Sequence, residues 1–221
     1  MPQNRIEAVL FDLDGTLVDS APDLAGALND LRQRRGLPTV PYEALRPHAG
    51  SGARGMLAAG FGLKPGDEGY DSLRDEFHDH YATRMLQDTR AFDAALRVLD
   101  ALDACGLPWG IVTNKALRFA GPLTQAMGLQ RGAVLVAGDT TPHTKPHPAP
   151  LLEAARRLQR RPEACVYVGD DHRDMLAGRA AGMSALAAAW GYLGTAHPPQ
   201  GWGADAVLHA PGELLQWLEL P

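Results

Sequence analysis

Six short, mostly apolar runs recur along the chain: IEAVLF (6–11), WGIVT (109–113), AVLVAG (133–138), ACVYVG (164–169), SALAAAW (184–190) and ADAVLH (204–209). Between them lie helical patterns such as ALRVLDALDACG (95–106), FAGPLTQAMG (119–128) and APLLEAARRLQ (149–159). A strand with one wet face alternates apolar and polar residues, whereas a continuous apolar run needs cover on both faces. Strands alternating with helices supply that cover. The pattern predicts an α/β fold built on a doubly wound, Rossmann-like parallel sheet. Ligands of such sheets bind beyond the carboxyl ends of the strands.

The alternation stops between about residue 20 and residue 90. There PDLAGALNDLRQRRG carries Leu24, Leu28 and Leu31 at i, i+4 and i+7, and SLRDEFHDHYATRML carries Leu73, Phe77 and Tyr81 at the same spacing. Glycine and proline cluster between the two stretches, at 60–69. The expected organisation is therefore a discontinuous core domain, 1–18 and 88–221, with a small all-helical cap domain, 19–87, inserted after the first strand. Ser20, before Pro22 and Asp23, is expected to be the N-cap of the first inserted helix, a purely structural role.

Bulk properties exclude several classes. A chain of 221 residues can bury one full core and a small second unit, and 45% apolar with 21% charged residues is ordinary for a globular protein. Net charge is −5 and no block of five or six basic residues occurs, which argues against a nucleic-acid partner. RQRRG (32–36) reads as a solvated helix end. Cys105 and Cys165 are too few and too far apart for a disulfide framework or a CxxC metal site, and read as two buried thiols in a reducing compartment. No run reaches 18 apolar residues, so no membrane partner is expected. MPQNRIEAVLF lacks the apolar stretch of a signal peptide, and cytoplasm is the expected location.

The strand ends carry the chemistry. FDLDGTLVDS (11–20) sets Asp12 and Asp14 one residue apart, just where the first apolar run stops. In extended backbone these two side chains point the same way, and Gly15 allows an immediate turn. Two carboxylates so close repel unless a cation intervenes. Mg²⁺ suits them, because it takes oxygen ligands and shares its shell with phosphate, and Asp170, after CVYVG, can complete that shell. A carboxylate nucleophile splits phosphate-ester cleavage into two easier steps. Lys145, stiffened by Pro146 in TPHTKPHPAP (141–150), can supply charge to the phosphoryl oxygens, and the Thr113 hydroxyl can supply a hydrogen bond. A protonated carboxyl beside these groups can deliver the proton the leaving alkoxide needs.

Taken together, FDLDGTLVDS, IVTN (111–114), TKPHPAP (144–150) and VGDDHRDM (168–175) resemble the four motifs of the haloacid dehalogenase superfamily of phosphohydrolases, in its phosphoglycolate phosphatase-like branch with a small helical cap. The resemblance covers essentially the whole chain. It implies that Asp12 is the nucleophile and a Mg²⁺ ligand, and that Asp14 is the general acid/base with its backbone carbonyl on the metal. Thr113 would hold the phosphoryl group with support from Asn114, and Lys145 would neutralise nucleophile and phosphate. Asp170 would ligate Mg²⁺, with Asp174 ordering its shell, and the cap would close over the site. Two positions depart from many relatives: Asp171 stands where Ser or Thr is usual, and Ala116 where Pro follows the TNK run. Asp171 is expected to cap the next helix rather than add charge to the metal.

Local similarity narrows the branch further. GSGARGML (50–57), WGIVTNKALRFAGPL (109–123), VGDDHRDMLAGRAAG (168–182) and WGYL with WGADAV (190–207) resemble bacterial phosphatases acting on N-acetylmuramic acid 6-phosphate in cell-wall sugar recycling. That ester and 2-phosphoglycolate both carry a carboxylate beside the phosphate. Arg54, in the glycine-rich cap segment, is the candidate to bind it. His143 and His147 are separated by Pro146, and His78 and His80 fall on different helix faces, so all four read as solvated rather than metal-ligating. Trp109, Trp190, Trp202 and Trp217 read as core or rim residues. Two other classes remain to be weighed: a phospho-accepting receiver domain, which is shorter and lacks a DxDGT pair, and a catalytically inactive scaffold, which would usually have lost an acid.

Overall fold

The computed structural model describes residues 6–194 and 197–220; the first five residues of MPQNRIEAVLF, the stretch expected to lack a signal peptide's apolar run, lie outside them. Eight strands are described: β1 (Ala8–Phe11), β2 (Val18–Asp19), β3 (Arg90–Ala91), β4 (Trp109–Val112), β5 (Val134–Val136), β6 (Cys165–Gly169), β7 (Ser184–Ala188) and β8 (Ala206–Leu208). Helices α1 (Ala21–Arg34), α2 (Tyr42–Leu45), α3 (Gly52–Phe61) and α4 (Tyr70–Arg84) lie between β2 and β3. The others are α5 (Asp93–Ala104), α6 (Leu117–Ala126), α7 (Ala149–Leu158), α8 (His172–Ala180) and α9 (Glu213–Trp217).

Six strands form one parallel sheet in the order β5-β4-β1-β6-β7-β8. All six apolar runs of the sequence are strands of this sheet. Their period of two sorts the side chains between faces. Val9 and Phe11 of β1 pack with Leu99 and Leu102 of α5 and Leu123 of α6. Ala8 and Leu10 pack on the opposite face with Leu151 and Ala154 of α7 and Ala177 of α8. Strand order reverses beside β1, so the crevice where such sheets bind ligands opens over the carboxyl ends of β4, β1 and β6.

The segment between β2 and β3 has a core of its own. Leu24, Leu28 and Leu31 of α1 meet Met56 and Leu57 of α3 and Leu73, Phe77 and Tyr81 of α4, and Phe119 and Tyr192 come up from the sheet body to join them. A fully buried leucine contributes roughly 1.5–3 kcal/mol, so this cluster alone goes far toward holding the four helices together. Three features differ from expectation. Helix α3 occupies the glycine-rich stretch read only as a segment. The two passages of chain into and out of the insert pair as the antiparallel ribbon β2–β3. Ser20 stands at the N-cap position of α1, but its side chain makes no capping bond.

Other expectations need correction at single residues. Cys105 is exposed where a buried thiol was expected; Cys165 is buried, and burial pushes its thiol up to about 11. His78 is half-buried against Phe119, with ring centroids 5.5 Å apart, because it shares the inward face of α4 with Phe77 and Tyr81. Trp109 and Trp202 are buried, and Trp190 and Trp217 pack at the rim of the main core.

Candidate active site

Asp12 and Asp14 follow β1 directly. The Asp12 amide still donates to Val168 O at 2.9 Å, so its side chain leaves the sheet edge beside β6. Gly15 then turns the chain with φ +83°, and a Cβ there would overlap the carboxylate of Asp170. That overlap is why a glycine must follow the acid pair: the turn carries the loop against the neighbouring strand's own acid. Asp170 is buried at the end of β6, where it accepts from the Thr16 hydroxyl (3.2 Å) and from Tyr192 N–H (2.6 Å).

Carboxylate oxygens of Asp12, Asp170 and Asp174 lie within 4.8 Å of one another. Burial pushes the Asp12 carboxyl up to about 7 even with the Lys145 ammonium opposing it, and burial with the charges of Asp12 and Asp174 pushes Asp170 well above the usual range. Three acids this close together, Asp12 and Asp170 among them pushed toward their neutral forms, make the donor set a hard divalent cation takes. The Asp14 carboxylate stands outside this set. Lys145 is buried and its Nζ lies 2.9 Å from Asp12 Oδ1 and 2.7 Å from Asp174 Oδ1. It also donates to the Tyr167 hydroxyl (2.7 Å) and to Val112 O (3.1 Å), which holds the ammonium at the sheet edge.

The other expected residues assemble around this centre. Thr113 follows β4, and its hydroxyl lines the cleft while accepting from Lys115 N–H at 3.1 Å. The Asn114 amide donates to Lys145 O and accepts from Lys145 N–H, both at 2.9 Å. It therefore fixes the loop that delivers Lys145. Asp171 opens α8 with a capping box: its side chain accepts from Arg173 N–H while the Asp174 side chain accepts from Asp171 N–H. The Arg173 guanidinium holds the Asp171 carboxyl below its ordinary range against the opposing effect of burial. The capping reading of Asp171 stands. Arg54, in the first turn of α3, is exposed and lines the cleft with the acids, though far along the chain from them.

Four residues that sequence reasoning did not assign join the site. The Lys115 ammonium pairs with Asp14 and lies 4.8 Å from the Tyr81 ring centroid; the carboxylate and the phenol hold it above the ordinary lysine range in spite of burial. Ser20 Oγ donates to Asp14 Oδ1 at 2.5 Å. Arg173 bridges Asp171 to Gly50 O in the insert at 2.8 Å. Tyr192 links Asp170 to the start of α1. A signal existed only for Lys115, which directly follows the Thr113–Asn114 pair. The others come from loops whose convergence no spacing reveals.

Between the sheet edge and the insert lies a cleft of about 330 Å³. Asp12, Asp14 and Thr113 form its floor; Arg54, Tyr70, Arg74 and His78 belong to its helical wall. Burial, with Arg118 and Arg74 nearby, lowers the His78 imidazole below its ordinary range, so the ring is neutral near pH 7. Such an arrangement can receive a doubly charged group at the floor and sort what is attached to it along the wall.

Comparison with known proteins agrees with that geometry. Residues 6–182 match the family model described as haloacid dehalogenase-like hydrolase. The chain is 40% identical over 220 residues to the N-acetylmuramic acid 6-phosphate phosphatase of Pseudomonas aeruginosa, covering 99% of this chain and 97% of that one. It is 44% identical over 208 residues to the phosphoglycolate phosphatase of Xanthomonas campestris, covering 94% of each. Among solved structures, one described as a predicted phosphoglycolate phosphatase from Haemophilus somnus superposes with a TM-score of 0.85 at 25% identity, over 96% of this chain and 98% of that one.

Proposed function

The chain belongs to the haloacid dehalogenase-like hydrolase family, and from that premise we propose that it is a phosphomonoesterase that passes through an aspartyl-phosphate. The observation that carries the proposal is the convergence of Asp12, Asp170 and Asp174 on one spot with Lys145 against two of them, at the floor of a cleft. Asp12 Oδ attacks phosphorus and the bond from phosphorus to the ester oxygen breaks. Asp14, in its protonated form, gives that oxygen its proton. A water then attacks the acyl phosphate, losing its proton to Asp14, and inorganic phosphate leaves with the Asp12 carboxylate restored. Lys145 and the Thr113 hydroxyl bind the equatorial oxygens, and Asn114 keeps Lys145 in place.

Mg²⁺ fits this donor set: Asp12, Asp170 and Asp174, with the Asp14 backbone carbonyl, would hold it, since carboxylate and carbonyl oxygens are the ligands it prefers. When bound it offsets the charge of the acids and of the phosphoryl oxygens. The helices of 19–87 act in this reading as a cap domain on a core of 1–18 and 88–221; the hydrophobic cluster centred on α1, α3 and α4 and the narrow β2–β3 ribbon support that division. Closure of such a cap excludes water and selects the ester.

The preferred substrate is N-acetylmuramic acid 6-phosphate. A cleft of about 330 Å³ suits an acylated amino sugar, while the two-carbon phosphoglycolate leaves most of it empty. Both candidates carry a carboxylate, and Arg54 is the cleft arginine for which no acidic partner is found among the described residues; Arg74 is paired with Asp71 and Asp75, and Arg173 with Asp171. The second reading, 2-phosphoglycolate, draws support from the equally similar relatives of that name. Comparing kcat/KM for the two esters and for hexose phosphates on one purified sample tests the choice. A hundredfold preference for the amino-sugar ester is expected; equal or reversed values favour the smaller substrate. The net charge of −5 argues against a nucleic-acid partner, and no described helix is long and apolar enough to cross a membrane.

A further inference from the structure

Helix α1 begins at Ala21 with the Ser20 side chain unavailable to cap it, yet the first N–H groups of a buried helix must find acceptors. Tyr192, from the loop after β7, supplies one. Its hydroxyl oxygen accepts from Ser20 N–H (2.7 Å) and from Ala21 N–H (3.0 Å) and donates to Asp19 Oδ1 (3.1 Å), so all its hydrogen-bonding capacity is used. The residue is buried, and burial together with Asp14 and Asp19 keeps the phenol protonated. Its own backbone N–H donates to Asp170 at 2.6 Å. From the insert, the Arg46 guanidinium stacks over its ring at 5.2 Å and donates to Gly191 O at 3.2 Å.

This arrangement fixes the backbone at Ser20. A serine at an N-cap normally turns its hydroxyl onto the helix it starts. Here the phenol instead holds the Ser20 and Ala21 N–H groups, the second shared with Asp19 Oδ1 at 3.2 Å, and the Ser20 hydroxyl points to Asp14 at 2.5 Å. We propose that Tyr192 is a positioning residue for the proton-transfer steps: by holding the Ser20 and Ala21 N–H groups it fixes the backbone from which the Ser20 hydroxyl reaches Asp14, and so sets where that carboxyl meets the leaving oxygen. The inference rests on the phosphatase reading above and adds to it a residue that touches neither ester nor metal with its side chain.

A structural role alone would lower all activities together. A role in placing the acid weighs on esters whose leaving oxygen needs a proton. Tyr192→Phe, Ser20→Ala and the double variant are assayed with p-nitrophenyl phosphate, whose phenolate leaves unaided, and with an alkyl phosphate, alongside hydrogen exchange at the Ser20 and Ala21 amides. Expected is a loss of roughly tenfold or more on the alkyl ester, with a much smaller loss on the aryl ester, for Tyr192→Phe and for Ser20→Ala. The double variant shows the same alkyl-to-aryl ratio as Ser20→Ala, because both act through one hydroxyl. The two amides exchange faster in Tyr192→Phe and stay protected in Ser20→Ala. Equal losses on both esters, multiplicative effects in the double variant, or unchanged exchange would overturn the inference. If the unaltered protein hydrolyses neither ester, the phosphatase reading itself falls; if it hydrolyses both and the ratio never moves, only the role of Tyr192 does.

Discussion

Lys115 Nζ lies 2.9 and 3.1 Å from the two carboxylate oxygens of Asp14, 101 residues away in the chain. The pair is mostly shielded from solvent, and the ammonium is backed by the Tyr81 ring. Replacing the cation by a neutral chain of similar length strands the carboxylate. Lys115→Met is expected to cost about 1–3 kcal/mol, below the range for fully buried pairs because the cleft wets Asp14. It also slows alkyl-ester turnover by roughly tenfold or more. Urea unfolding and steady-state rates check both effects, and a variant of unaltered stability and rate would show the ion pair to be incidental.

Gly15→Ala combines an unfavourable left-handed residue, at φ +83°, with a methyl group placed in the Asp170 carboxylate. The backbone term is of order 1–3 kcal/mol. Displacement of Asp170 adds a loss of Mg²⁺ affinity of tenfold or more, as is common when a ligand's support is disturbed. Calorimetric titration with Mg²⁺ reads the second effect apart from the first. Tight binding in a merely destabilised variant would remove Asp170 from the ion's shell.

The raised carboxyls make a pH prediction. Asp12 is pushed up to about 7 from 3.8, and Asp170 is raised too. Between those pH values the metal-free folded chain holds more protons than the unfolded chain, so its stability falls as pH climbs from about 4 to about 7. Mg²⁺ bound by the ionised acids would offset that loss, whereas at lower pH protons would compete with it. The rise in Tm on adding Mg²⁺ to chelator-treated protein is therefore expected to be larger near pH 8 than near pH 5. An equal rise at both would show that these acids are not its ligands.

Arg54→Ala tests the carboxylate receptor. KM is expected to rise roughly tenfold for esters bearing a carboxylate and to change little for neutral hexose phosphates, with kcat nearly constant, the pattern of lost uniform binding. A uniform change across both groups would retire Arg54 from that role.

The sequence was most informative where side-chain chemistry sits at strand ends. Continuous apolar runs mark a sheet covered on both faces, and the first charged residues after them, Asp12 and Asp170, fall at the carboxyl edge by construction. Asn114 and Lys145 were legible as partners of the site, though the bond between the Asn114 amide and the Lys145 backbone was not. Residues whose role depends on loops meeting in space were missed. Ser20 carries the signature of an N-cap, yet its hydroxyl meets Asp14 while Tyr192, 172 residues away, holds its backbone N–H. His78 looked solvated because the wall it faces includes Phe119, from beyond β4. Helix α3 was obscured by four glycines within or beside it, which weaken the periodic signal while Met56 and Leu57 anchor the packing.

The most direct test of the central claim is to let the Asp14→Asn variant react with p-nitrophenyl phosphate and Mg²⁺, quench with acid, and map the phosphoryl group by peptide mass spectrometry. Without the base that activates water, the covalent adduct is expected to accumulate, with the added mass confined to Asp12. No adduct during ongoing release of p-nitrophenol, or one on a different residue, would contradict the account.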